Sequence, residues 1–127
     1  MKAMHVMTRL VVTATPKMSV NDAAELLTEY HISGLPVVDA EGRVVGIFSS
    51  TDALGKRGEF VSEVMTCPAI TVEPETCVEE LATLLAAKNI NRLPVVQGGR
   101  LVGIVCRADL VRYLATRRAW AEAREDS

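Results

Sequence analysis

Cysteine is scarce in this chain and poorly spaced for chemistry: Cys67, Cys77 and Cys106 are an odd number among 127 residues, with no C-x-x-C pair. A disulfide framework is therefore not expected, and reduced thiols in a cytoplasmic setting are. Histidine is scarcer still; His5 and His31 form no H-x-x-x-H spacing, so no metal site or bound metal cofactor is expected. No apolar run approaches the roughly 18 to 20 residues that span a bilayer, and the first eight residues lack the continuous apolar stretch of a secretory signal. Basic residues are not in excess: 14 Lys and Arg against 16 Asp and Glu give a formal charge of −2. Without a basic field, nucleic acid is not expected as a partner. Cys77 falls in the first turn of a predicted helix, where a thiolate would be favoured, yet no local residue serves as its base, so catalysis is not expected either. What the chain does have is 49% hydrophobic residues, enough for one domain that buries roughly two thirds of its unfolded surface.

The chain is one unit written twice. At an offset of 58, Val6-Met7-Thr8 matches Val64-Met65-Thr66, Thr13 and Pro16 match Thr71 and Pro74, and Leu35-Pro36-Val37-Val38 matches Leu93-Pro94-Val95-Val96. One residue, Glu41, is then lost from the turn. At an offset of 57, Gly42-Arg43 pairs with Gly99-Arg100, Val45-Gly46-Ile47 with Val102-Gly103-Ile104, and Asp52 with Asp109. Repeat one is read as residues 5–54, a linker as 55–62, repeat two as 63–114 and a helical tail as 115–127.

Each unit carries the same grammar. A short β-rich run (10–14 and 69–72) ends before Pro16 or Pro74, and a helix start follows. Thr76-Cys77-Val78-Glu79 fits a capping box, and Ser19-Val20-Asn21-Asp22 a weaker one. Val20, Ala23, Ala24, Leu27 and Tyr30, then Val78, Leu81, Ala82 and Leu85, recur at helical spacing and predict one buried stripe per helix. Two β-branched runs follow in each unit (35–39 with 44–49; 93–97 with 101–106), separated by glycine-bearing turns that suit antiparallel hairpins. A second helix is predicted from Thr51 and from Ala108. The class is α+β, with two β-α-β-β-α units that pack sheet to sheet in pseudo-two-fold symmetry. Met1, Met4, Met7, Met18 and Met65 are read as gap fillers and strand-start packing.

Met-Thr, Thr-x-x-Pro, an amphipathic helix, (Ser/Asn)-x-Leu-Pro-Val-Val, Gly-Arg-x-Val-Gly-Ile and a final Asp together resemble the cystathionine-β-synthase (CBS) domain, and two tandem copies resemble a Bateman module. The resemblance covers nearly the whole chain and leaves no room for a catalytic or DNA-binding domain. It implies a non-enzymatic regulatory module that binds an adenine-containing ligand (AMP, ADP, ATP, or a relative of S-adenosylmethionine) in clefts between the repeats. It also implies a homodimer and an effector protein reached by contact between molecules.

Carried onto this sequence, the resemblance places one cleft at Ser49, Thr51 and Asp52, facing Ile70, Thr71, Asn91, Arg92, Leu93 and Pro94. Asp52 would accept the ribose hydroxyls, the apolar residues would hold adenine, and Arg92, Ser49, Thr51 and the amides opening the helix would receive phosphate. A second cleft would use Cys106 and Asp109, facing Val12, Thr13, Ser33, Gly34, Leu35 and Pro36. There Cys106 replaces a hydroxyl, Ala108 replaces the counterpart of Thr51, and Gly34 replaces that of Arg92, so this cleft is expected to be the weaker unless Arg107 compensates. Read without the resemblance, Asp52 and Asp109 are equally first-turn helix carboxylates, Ser49 and Thr51 caps, and Arg92 a surface ion-pair partner. A structural dimerisation or scaffold module without ligand is the alternative function. Trp120, in the Ala-rich tail, either extends the last helix or packs on a second chain.

Overall fold

The computed structural model describes residues 1–125, and side chains as far as residue 116. In chain order the elements are α1 (Ala3–Val6), α2 (Val20–Glu29), β1 (Gly34–Val38), β2 (Val44–Ser49), α3 (Ser50–Gly55), α4 (Val61–Val64), α5 (Val78–Ala87), β3 (Arg92–Gln97), β4 (Arg100–Cys106) and α6 (Arg107–Glu125). The tail continues α6, and the packing of Trp120 lies outside the described side chains.

Both hairpins form as the sequence predicts, β1 against β2 and β3 against β4, each antiparallel. Gly98 and Gly99, at φ 61° and 81°, make the second turn, a conformation open to glycine at both central positions. In the longer first turn the Asp39 carboxylate accepts from the backbone amides of Glu41 and Arg43 instead.

The predicted first strand of each unit is reduced to a single parallel bridge, Ala14 to Val37 and Val72 to Val95. Proline sets both limits. Ala14 N–H donates to Pro36 O and Ala14 O accepts from Val38 N–H. One step earlier, Pro36 has no N–H to offer the Val12 carbonyl; one step later, Pro16 has none for that of Val38. Pro94 and Pro74 bound the Val72 bridge in the same way.

Helix starts also depart from the expectation. Ser19 caps α2 by accepting from Asp22 N–H at 3.0 Å, whereas Thr76 is not a cap: its hydroxyl accepts from Glu73 N–H within a turn, and Cys77 opens α5 without a side-chain cap bond. The predicted stripes hold at Ala23, Leu27, Val78, Leu81 and Leu85, all buried, but Ala82 is exposed and Tyr30 is 52% exposed. Tyr30 is already the C-cap of α2, and His31 beyond it turns left-handed (φ 53°), so the stripe ends before it. Leu26 and Leu84 pack toward the cores from the same helices.

The repeats exchange their leading segments. Val61, Val64 and Met65, which precede the second hairpin in sequence, pack in the core of Leu27, Leu35, Val37 and Phe48. Ala3, Val6 and Met7, which precede the first, pack in the core of Val78, Leu81, Leu93 and Val95. The joints repeat at the sequence offset: Lys2 with Cys77 and Phe60 with Ser19, Thr8 with Ile104 and Thr66 with Ile47. Arg43 pairs with its own counterpart, Arg100, which puts the pseudo-two-fold axis between them.

This crossing leaves no room on β2 and β4 where the threads pass. A Cβ on Gly103 would stand 2.5 Å from Met7 Sδ and 3.1 Å from Thr8 O; on Gly46, 2.8 Å from Met65 Sδ and 3.1 Å from Thr66 O. The thioethers can swing away, but both carbonyls are pinned by Ile104 N–H and Ile47 N–H. Gly46→Ala and Gly103→Ala are each expected to cost about 1–3 kcal/mol by overpacking. Urea unfolding measures it, and a loss below about 0.5 kcal/mol would show that the threads yield. Among the described residues, no helix is long and apolar enough to cross a membrane.

Candidate functional site

The crossing opens a cleft between the repeats, with a cavity of about 460 Å³. Ile47, Ser49, Ser50 and Thr51 line it from the end of β2 and the start of α3; Thr66, Pro68, Ala69 and Ile70 from the segment entering repeat two; Asn89, Ile90 and Asn91 from the turn after α5 and Arg92 from the start of β3; and Ser33 and Gly34 from the entry to β1. The structure thus gathers Ser49, Thr51, Ile70, Asn91 and Arg92, which the resemblance places in one cleft.

Asp52 does not line this cleft. It lies beneath it, 3% exposed, and its carboxylate is fully engaged. Ser49 N–H and Ser49 Oγ donate to Oδ2 at 3.0 Å each, Thr66 Oγ1 donates to Oδ1 at 3.0 Å, and Lys56 Nζ stands 2.8 Å from Oδ1. Asp52 N–H returns a bond to Ser49 Oγ at 3.2 Å, closing a capping box at a helix of six residues. Burial raises the Asp52 carboxyl, but Lys56, Ser49 and Thr66 together outweigh it and hold the group below its ordinary value. Of the other expected residues, Leu93 and Pro94 are wholly buried behind the cleft and Thr71 is half-buried to one side of it.

Arg92 is the joint of the cleft. Its Nη1 donates to Gly34 O and its Nη2 to Ser33 Oγ at 3.2 Å, so it bonds to the counterparts of itself and Asn91 across the pseudo-axis. Two of its five N–H donors are thereby spent. Ser49, Ser50 and Thr66 hydroxyls are likewise committed to the protein, Ser50 to Ser33 O at 3.1 Å. Among the described residues the Thr51 hydroxyl and the Asn91 amide have no such bond. Ile47, Ile70 and Ile90 supply apolar wall.

Of the residues expected of a second cleft, Ser33, Gly34 and Cys106 meet around Arg92. Ser33 and Gly34 belong to the first cleft, drawn there by Arg92. Leu35 and Pro36 are wholly buried, Val12 packs against the first core, and Thr13 is half-buried. Asp109 accepts from Cys106 N–H at 2.8 Å and pairs with Arg112, again as a helix-start acceptor. Cys106 is half-buried; burial pushes its thiol up, Arg92 opposes this, Asp109 adds to it and Arg112 opposes it. Arg107 directs its guanidinium to Ile90 O and Leu85 O at the end of α5.

Sequence reasoning missed Ile47, Ser50, Thr66, Pro68, Ala69, Asn89 and Ile90. The available signals were the repeated Met-Thr motif, which carries Thr66 to the cleft, and the Gly-Arg-x-Val-Gly-Ile motif, which ends at Ile47; the remaining residues flank motif positions by one to three places.

A family model described as "CBS domain" matches residues 3–59 and again 61–116. The chain is 34% identical to CBS domain-containing protein YhcV of Bacillus subtilis over 82% of this chain and 79% of that one. It is 34% identical to inosine-5'-monophosphate dehydrogenase of Methanocaldococcus jannaschii, matching 98% of this chain but spanning only 25% of that enzyme. Among solved structures, CBSX2 in complex with AMP superposes with a TM-score of 0.88 at 32% identity, covering 92% of this chain and 98% of that one; CBSX2 is from Arabidopsis thaliana. The CBS domain pair of MJ0100, in complex with 5'-methylthioadenosine and S-adenosyl-L-methionine, superposes with a TM-score of 0.84 at 30% identity, covering 92% and 98%.

Proposed function

This chain belongs to the CBS domain family, and from that premise we propose that it is a regulatory module that binds an adenine-containing nucleotide between its repeats. The observation that carries this reading is the cleft itself. It joins apolar wall from both repeats to polar groups with unspent hydrogen-bonding capacity at Thr51, Asn91 and Arg92, the composition of a small-molecule site. CBSX2 with AMP and the MJ0100 pair with adenine-bearing ligands support the choice of chemistry. The apolar side chains take the adenine, and the polar groups take the sugar and its substituent. Ser49, expected to face phosphate, and Asp52, expected to face ribose, act first as the brace that shapes the floor.

A ligand that touches both repeats favours one of their arrangements over another, and only that difference in affinity transmits occupancy. The output we propose is contact with an effector protein, by a homodimer. Leu54 and its counterpart Val111 are 90% and 63% exposed, and Leu114 is 48% exposed, apolar surface that a second copy would cover.

A thermal-shift panel of AMP, ADP, ATP and S-adenosylmethionine tests the ligand reading. Ligand at about 100 times its Kd adds roughly 2.7 kcal/mol, an expected rise on the order of 5–10 °C for a chain of this size. Ile70→Trp, which fills the cleft at a residue already 38% exposed, abolishes the rise while leaving the unliganded Tm within a few degrees. No rise with any of the four at millimolar concentration would favour the structural dimerisation module instead.

A further inference from the structure

The two exchanged threads are seated by matching bonds, with one difference. In α1, Ala3 N–H donates to Thr76 O and Met4 N–H to Pro74 O; in α4, Val61 N–H donates to Met18 O and Ser62 N–H to Pro16 O, each the counterpart of the other at the repeat offset. The residue before each helix, Lys2 or Phe60, donates its N–H to the side chain three places on. There the copies part. Glu63 Oε1 accepts from Phe60 N–H at 2.9 Å and from Glu59 N–H at 3.2 Å, whereas His5 Nδ1 accepts from Lys2 N–H at 3.0 Å. A carboxylate accepts in its charged form; an imidazole nitrogen accepts only in the neutral form. Carboxylates in general stay ionised down to roughly pH 4–5. Imidazoles gain their proton between about pH 5 and 8, and the acceptor is lost with it.

The charged and titratable groups about His5 are Lys2 and the Met1 amino group on its own segment, Glu75 and Cys77 where the chain enters α5, and Asp109, Arg112 and Tyr113 of α6 across a cavity of about 270 Å³. Both acids already hold cations, Glu75 the Lys2 ammonium at 2.7 Å and Asp109 the Arg112 guanidinium. An imidazolium at His5 would therefore join cations whose counter-ions are taken, and the Lys2 N–H would face a donor in place of its acceptor. Since α1 and the residues after it carry Ala3, Val6 and Met7 into the core of repeat two, whatever unseats α1 loosens that repeat.

We infer that His5 is a pH-operated catch on the thread that closes repeat two: neutral, it seats α1; protonated, it lets go, so that repeat two loosens as pH falls below neutrality while repeat one, latched by Glu63, holds.

Amide hydrogen exchange of the full chain at about pH 7.5 and about pH 5.5, corrected for intrinsic exchange rates, tests this in the wild type, His5→Glu, His5→Ala and His31→Asn. One hydrogen bond of this kind is worth about a fivefold change in an opening equilibrium. In the wild type, protection of α5, β3 and β4 is expected to fall about fivefold between the higher and the lower pH, while that of α2, β1 and β2 changes less than about twofold. His5→Glu, which gives α1 the kind of acceptor that α4 has, is expected to keep its protection at both pH values. His5→Ala is expected to show the lowered protection at both. His31, the other histidine of the chain, stands beyond the end of α2 in a left-handed conformation that Asn tolerates, and His31→Asn should respond as the wild type does. Three results would overturn the inference: protection in the wild type that falls equally in both repeats or not at all, a pH response of repeat two that survives in His5→Glu or His5→Ala, or one that disappears in His31→Asn.

Discussion

Asp52→Ala is expected to lose about 3 kcal/mol of folding stability, roughly a hundredfold in the folded-to-unfolded ratio. The loss comes from what the carboxylate holds together. Removing it leaves the Ser49 amide, the Ser49 and Thr66 hydroxyls and the Lys56 ammonium short of an acceptor at once. Thr66 belongs to the thread entering repeat two, and Lys56 also donates to Val64 O in α4, so the failure spreads from one helix start to the joint between repeats. Asp109→Ala is the control within the same molecule. It strips an acceptor from Cys106 N–H, but its cation, Arg112, is 74% exposed, and the expected cost is about 1 kcal/mol. Guanidinium unfolding of both variants decides it, and equal losses would refute the assignment of Asp52 as the brace beneath the cleft.

The same carboxylate gives a pH signature. Its folded-state pKa is depressed, so its contribution is complete above the pKa of the unfolded chain and is lost as pH falls through the folded value. Stability of the wild type should therefore drop across the acid range below the ordinary carboxylate pKa. Asp52→Ala, measured over the same range, should show a shallower drop. An unchanged slope would mean that other carboxylates set the acid limit.

The hairpins, the buried face of α2 and α5 and the doubled plan were legible because they rest on local pattern: alternation, helical spacing and turn glycines. The capping at Thr76 was misread because the motif could serve a turn from Glu73 as well as a helix, and only the repeat itself, which aligns Cys77 with Ser19, marks the true cap. At the cleft, residue types were legible but directions were not. Asp52 stands at the helix start that the sequence marks, yet it faces inward, held by Ser49 and Lys56 at the two ends of its own helix and by Thr66 from the thread entering repeat two. Ser33 and Gly34, read as part of a second cleft, line the first because Arg92 reaches them across the pseudo-axis. The reach of Thr66 and of Arg92 depends on contacts distant in sequence.

The exchange of leading segments yields the second large effect. Judged by its own helix, Ala3→Asp should be harmless or mildly favourable, since an acidic residue in a first turn suits the helix dipole. In the fold, Ala3 is wholly buried among Val78, Leu81, Leu93 and Val95, with its N–H donated to Thr76 O at 2.7 Å. A carboxylate there has no cation among those neighbours, and the expected cost exceeds about 3 kcal/mol. The location of the damage matters more than its size. Amide hydrogen exchange should show protection lost in α5, β3 and β4, some seventy or more residues along the chain from the substitution, while α2, β1 and β2 retain theirs for longer. Val61→Asp, at the matching position, should reverse the pattern, because Val61 fills the core of Leu27, Leu35 and Phe48. Each repeat is thus completed by a segment that precedes the other, and a signal that shifts one repeat must pull on the thread that closes its partner. Loss of protection confined to α1 in Ala3→Asp would contradict that coupling.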